Sequence, residues 1–158
     1  LVIGPPEIAA RVPGTEAVPL FSSPVVILAS RFHPLAGRKT ITNQDLNDAR
    51  WILHQPGTGI REATDILLRR LGVNETLQAS ELPSNMILAL LRLGDHLAAL
   101  PRYVLKNIDI AGELVQIAGE EPPVLLGHDA ITMARQTSKT TDKFISAMRN
   151  GLGDLGRL

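Results

Sequence analysis

The chain has 158 residues, 44% of them apolar, with a formal net charge of +0 and no cysteine. That apolar share excludes a disordered chain, the charge balance excludes a strongly basic nucleic-acid surface, and the lack of cysteine excludes disulfides and cysteine-held metals. No apolar run reaches the length of a membrane span, and no basic region of a signal peptide precedes the first apolar residues.

Leu1-Val2-Ile3 is an apolar strand end, stopped by Gly4-Pro5-Pro6. Proline lacks an N–H and fixes φ, so this pair predicts a stiff extended segment that leaves the ladder. Ala17 to Ser30 is a second extended region, and its run Val25-Val-Ile-Leu-Ala29 predicts a strand covered on both faces. Phe32-His33-Pro34-Leu35-Ala36-Gly37 is a turn with apolar anchors. Thr42 then caps a short helix, with Asp45 as its acidic third residue.

Trp51-Ile52-Leu53 predicts a buried strand. Pro56-Gly57-Thr58-Gly59 turns the chain, and a helix runs from about Ile60 to Leu71, with Thr58 as N-cap and Gly72 at the left-handed position after its end. The amides of Gly59, Ile60 and Arg61 are expected to point outward unpaired, which makes this helix start an anion site. Thr76 to Ser80 alternates like a half-buried strand. Pro83-Ser84 opens a helix from Asn85 to Leu93, with Ser84 able to cap it, and the helix is apolar almost all round, as for one buried between layers or in a subunit contact. Strands follow at 96–101, 114–117 and 124–131, with a polar-faced helix near Tyr103 to Asn107. Ser138 caps a last helix that carries Thr141, Phe144, Ile145, Met148 and Leu152 on one face. The alternation of strands and helices predicts an α/β layered fold with a mostly parallel sheet.

Chemistry-bearing motifs are few. Gly57-Thr58-Gly59 lacks the third glycine of a dinucleotide fingerprint and the Lys of a P-loop. His33, His54, His96 and His128 show no metal-ligand spacing, and there is neither a Gly-x-Ser-x-Gly elbow nor a cysteine nucleophile. The residues give no support for an enzyme, a metal site or a cofactor.

Eight segments, in order, resemble a family: Leu1-Val-Ile-Gly-Pro-Pro, Pro19-Leu-Phe, Val26-Ile-Leu-Ala, His33-Pro-Leu-Ala-Gly, Trp51-Ile-Leu, Gly57-Thr-Gly-Ile-Arg, Leu88-Ala-Leu-Leu-Arg-Leu-Gly and Leu97-Ala-Ala-Leu-Pro-Arg102. Together they look like the effector-binding domain of LysR-type transcriptional regulators. The resemblance implies a periplasmic-binding-protein-like (type 2) two-lobed α/β domain, with the second lobe complete and the first lobe partial. It implies that residues 1–6 end the first lobe and make the first crossing. Residues 7–123 would form the second lobe, and residues 124–158 the second, antiparallel crossing and the return to the first lobe. The helix-turn-helix and the opening units of the first lobe would precede Leu1.

The resemblance further implies a cytoplasmic sensor, a homodimer or homotetramer, that reaches DNA only through that upstream helix-turn-helix and touches no membrane. A small anionic metabolite would bind in the interlobe cleft against Gly4, Pro5, Thr58, Gly59, Leu82, Pro83, Ser84 and Asn85. Gly94-Asp95-His96 departs from the family's Gly-x-Gly, with narrower local packing or an imidazole near the cleft as the two expected results. The other reading of the same architecture is a solute-binding protein of an uptake system.

Overall fold

An unbroken apolar run can be satisfied only by cover on both sides, and residues 25–29 are buried at every position. They belong to β2 (Thr15–Ser30), which follows β1 (Val2–Gly4) and α1 (Glu7–Arg11). After it come α2 (Asn43–Asn47), β3 (Arg50–His54), α3 (Gly59–Arg70), β4 (Ala79–Leu82), α4 (Ser84–Leu91), β5 (His96–Pro101), α5 (Val104–Asn107), β6 (Leu114–Ala118), β7 (Leu125–Met133) and α6 (Lys139–Leu152). The computed structural model describes residues 1–73, 79–109, 111–118, 122–134 and 138–152, without the side chain of Ser84. The expected strand residues Thr76, Leu77 and Gln78 lie outside the described residues.

The chain divides into two units, one of Leu1–Ser23 with Leu125–Leu158, the other of Pro24–Val124. The division on the N-terminal side thus falls at 23/24, where the sequence suggested 6/7. The reason lies in the packing of residues 15–23. Leu20 shares a small core with Ala130 and Ile145, flanked by Val18, Phe21 and Met148, and Arg149 Nε donates to the Pro19 carbonyl at 3.1 Å.

In this first unit β1 pairs antiparallel with β7, Val2 opposite Ile131 and Gly4 opposite Asp129. Antiparallel pairing of these two segments is what the resemblance implied. The stiff extended segment expected after Gly4 is absent. Pro6 sits at φ −57°, ψ −27° and begins α1, because the φ that its ring fixes also suits the first turn of a helix. Ser138 Oγ accepts the Thr141 N–H at 3.2 Å and caps α6 as expected.

In the second unit the strand order is β2-β5-β3-β4, with β6 also on β2. β3 runs parallel to both β4 and β5, whereas β2 is antiparallel to β5 and β6. The sheet is therefore mixed, and the mostly parallel sheet is corrected. Only β3, β4 and β5 are joined through helices of eight or more residues, α3 and α4, that can carry the chain back to start a parallel neighbour. The five-residue α2 between β2 and β3 cannot.

Capping fixes the helix ends. The Thr42 hydroxyl accepts the Asp45 N–H at 3.1 Å and the Asp45 carboxylate accepts the Thr42 N–H at 2.9 Å, a capping box made with Asp. After α3, the Val73 N–H reaches back to the Leu68 carbonyl at 2.8 Å while Gly72 takes φ +68°. α4 is less enclosed than expected: Ile87 and Leu91 are fully buried, yet Met86 is about half exposed. Ile87 and Leu91 join Val26, Leu28, Ile52, Ala98 and Leu100 in one core. Truncating Leu91 to Ala should lower unfolding free energy by roughly 2–5 kcal/mol, read by urea denaturation. A loss within error would contradict this packing.

Candidate functional site

Strand order decides where a ligand can rest. The chain leaves β3 through α3 toward β4 on one side, then returns through α4 to β5 on the other side of β3. The connection after β5 runs onward to β6, which pairs with β2. Connections from the neighbours β3 and β5 thus diverge, and in open α/β sheets the carboxyl ends at such a divergence are where ligands rest. Because β3, β4 and β5 are parallel, the start of α3, the start of α4 and residues 101–103 all lie along this one edge.

The α3 start is built by Thr58. Its backbone is extended, at φ −102°, ψ 142°, so Gly59 opens the helix, and Gly57 makes the preceding turn at φ +80°. The Thr58 hydroxyl donates to the Gln55 carbonyl at 2.9 Å and accepts the Arg61 N–H at 3.3 Å. Of the three amides expected to be free, Arg61's is therefore taken by the cap. Those of Gly59 and Ile60 have no protein partner among the described residues, and both residues are partly exposed. Two N–H groups at the positive end of a helix can hold an oxyanion without any side chain.

The Arg61 side chain is a clamp. Its guanidinium donates to the His54 carbonyl at 2.8 Å, to Glu81 at 2.7 Å and to Asp65 at 3.0 Å. It thus ties the first turn of α3 to the ends of both β3 and β4. The Glu81 hydrogen bond is the main reason that its pKa is raised. The charge is spent on these partners, which makes Arg61 a positioning residue. His54, buried at the β3 end, has its pKa lowered by burial first and by Arg61 second, so it is held neutral.

The α4 start is capped differently. Pro83 is the N-cap and offers no side-chain hydrogen bond, and the Met86 N–H bonds its carbonyl at 2.9 Å. Ser84 is the first helical residue, not the cap, and its side chain lies outside the described residues. Leu82 is partly buried beside His54 in the ladder, and Asn85 is exposed. Arg102, immediately after β5, was not singled out for a site by its sequence. Its N–H bonds the Pro24 carbonyl at 2.7 Å, while its side-chain Nε is buried without a hydrogen-bond partner among the described residues. A buried guanidinium nitrogen without an acceptor is an open demand for one. The signal in the sequence was only the strand end Ala-Leu-Pro-Arg.

Comparison with known proteins settles the family. Residues 1–153 match the model of the LysR substrate binding domain. The chain belongs to that family. A 58-residue stretch is 38% identical to the HTH-type transcriptional regulator CysL of Bacillus subtilis (strain 168), covering 37% of this chain and 19% of that protein. Among solved structures, the Synechocystis PCC6803 CcmR regulatory domain in complex with 2-PG is 27% identical, with a TM-score of 0.72, over 95% of this chain and 71% of that one. The full-length OxyR C199D of Pseudomonas aeruginosa shares the fold, at 16% identity and a TM-score of 0.68, over 87% of this chain and 48% of that one. The chain thus spans about a fifth of the curated relative and about half of the full-length structure. The type 2 periplasmic-binding-protein-like fold is that of this family.

Within this LysR substrate-binding domain the predicted site residues fall in two groups. Thr58, Gly59, Leu82, Pro83, Ser84 and Asn85 share the carboxyl edge of the second unit, and Gly4 and Pro5 belong to the first unit. Gly4 is buried, and a Cβ there would meet the Ile8 side chain at 2.8 Å. His96 does not join the edge. It starts β5, beside Arg50 at the start of β3, so it stands at the opposite end of the parallel strands. Its Nδ1 lies 2.6 Å from Asp95 Oδ1, a contact too bent to count as a hydrogen bond.

Two outcomes follow from this geometry. Thr58→Ala should cost about 1 kcal/mol of stability through the lost cap, whereas Thr58→Ser should cost a few tenths, both read by chemical denaturation. The buried His33 and His54 and the half-buried His128 set an acid limit. His54, His33 and His128 all have pKa values lowered below 6.5, chiefly by burial. The unfolded chain therefore takes up protons that the folded chain refuses as pH falls through 6.5, and stability present above that pH is lost below it. Denaturation midpoints should fall between about pH 7.5 and about pH 5.5, and His54→Gln should flatten the slope.

Proposed function

We propose that this chain is the effector-sensing part of a LysR-type transcriptional regulator, with a small anionic metabolite resting against the carboxyl edge of β3, β4 and β5. One observation carries the reading: the Gly59 and Ile60 amides and the Nε of Arg102, none of which has a partner among the described residues, share a topological switch point. The amides bind an oxyanion by position, and the guanidinium adds charge and a second direction of approach. Thr58 shapes the turn and is not itself the anion's main partner. Leu82 and Pro83 supply apolar wall, and Asn85 a side-chain amide.

The ligand acts by preferring one arrangement of the domain over another, which biases the equilibrium between them. The regulator would be a homodimer or homotetramer in the cytoplasm, and DNA would be reached through a helix-turn-helix carried elsewhere in the protein. The family supports a regulator over a solute-binding protein of an uptake system, and members are regulators by family, not enzymes.

Titration of the full-length protein with a panel of small carboxylates and phosphate esters tests this by calorimetry. A member of the panel should bind, and Arg102→Met should weaken it by at least ~10-fold, with the circular dichroism spectrum unchanged. Equal affinity in wild type and Arg102→Met would overturn the placement of the anion.

A further inference from the structure

A second recognition site lies at the other end of the second unit, and we propose that it docks a segment of a partner protein presenting an arginine or lysine side chain. An open cavity of about 480 Å³ forms where β3 and β5 begin, lined by His33, Leu35, Asp45, Asp48, Arg50 and Asp95 among others. This is the end of the strands away from the Thr58 turn, so the proposal does not depend on the effector reading.

The cavity is short of cations and has one unused donor. Asp45 is committed to Thr42 and Arg38. Asp48 receives only the neutral Gln44 amide, at 2.9 Å on both oxygens, and has no cationic partner among the described residues. Asp95 pairs with Arg50 at 2.8 Å, but both side chains are more than half exposed, so water and salt weaken the pair and it can exchange partners. His33 is 7% exposed. Its Nδ1 accepts the Leu35 N–H at 3.1 Å, so in the neutral ring the proton sits on Nε2. That N–H has no protein acceptor among the described residues.

The rim is apolar. Leu93 and Phe32, 77% and 73% exposed, are the two most exposed large apolar side chains among the described residues. Phe32 immediately precedes His33, and Leu93 comes two residues before Asp95. Arg31 covers one face of the Phe32 ring at 4.9 Å and leaves the remainder open. Large apolar side chains exposed to this degree are candidate contacts for a bound segment.

Charge and hydrogen bonding choose the occupant. A bare cation would satisfy Asp48 and leave the His33 N–H without an acceptor. A second copy using the same face would bring Arg38 and Arg50 already paired with its own Asp45 and Asp95, and a further unpaired Asp48. An extended segment with a basic side chain supplies all three needs: a cation for Asp48 and Asp95, a main-chain carbonyl for His33 Nε2–H, and neighbouring apolar groups for Phe32 and Leu93.

The test uses the full-length protein and a dye-labelled peptide, acetyl-Leu-Arg-Leu-amide, read by fluorescence anisotropy against its citrulline counterpart. The arginine peptide should bind, and the uncharged citrulline peptide should bind at least ~10-fold more weakly. The Asp48→Asn/Asp95→Asn double variant and Phe32→Ser should each weaken the arginine peptide, with thermal midpoints close to wild type because all three side chains are exposed. Arg102→Met should leave it unchanged. Equal binding of the citrulline peptide, or no binding at about 10 mM, would overturn the proposal. So would ethylguanidinium competing as well as the peptide, which would make the occupant a small cation. Self-association abolished by Phe32→Ser would make it a second copy.

Discussion

Burial of β3 is the constraint on which the second unit depends. Trp51, Ile52, Leu53 and His54 are all shielded, and the strand has a parallel neighbour on each side. A parallel strand in that position needs helical connections, because a tight turn cannot reverse the chain back to its own start. α3 and α4 are those connections, and both must begin at the carboxyl edge. The grouping of Thr58, Pro83 and Arg102 is therefore a by-product of hiding one apolar strand. The Trp51 indole N–H reaches the Leu46 carbonyl at 2.9 Å and ties α2 to the same strand.

Much of this could be read from the sequence. The apolar runs 25–29 and 51–53, the Thr58 and Ser138 caps, Gly72 and the box of Thr42 with Asp45 are local signals, because the residues that create them are their neighbours in the chain. Pairing direction was not legible. Whether β2 meets β5 head-to-head or head-to-tail is decided by the whole path of the chain, and alternation of strands and helices is silent on it. The helix α1 was hidden by the double meaning of proline, which fits an extended segment and a helix start equally well.

The candidate site divides in the same way. The turn and cap at Thr58 and Gly59 were legible because a Gly-Thr-Gly turn after a buried strand has few conformations open to it. Its third free amide was not, since the capping hydroxyl takes the Arg61 N–H that the sequence leaves open. The Arg61 clamp depends on Glu81, twenty residues along, and Arg102 on which edge its strand ends at. Of the two expectations for His96, the imidazole near that edge fails: it stands at the opposite one, because the start of β5 is registered with the start of β3.

The Gly59 and Ile60 donors belong to the main chain, and this has an evolutionary consequence. A main-chain N–H is the same whatever side chain follows it, provided the turn and the helix start persist. On the proposed reading, the part of the pocket that recognises negative charge is thus insulated from sequence drift. Residues around it, such as Leu82 and Asn85, are free to change the shape of the anion accepted without repair of the fold. A domain so organised can diversify in what it senses while keeping one anchor for what its ligands have in common.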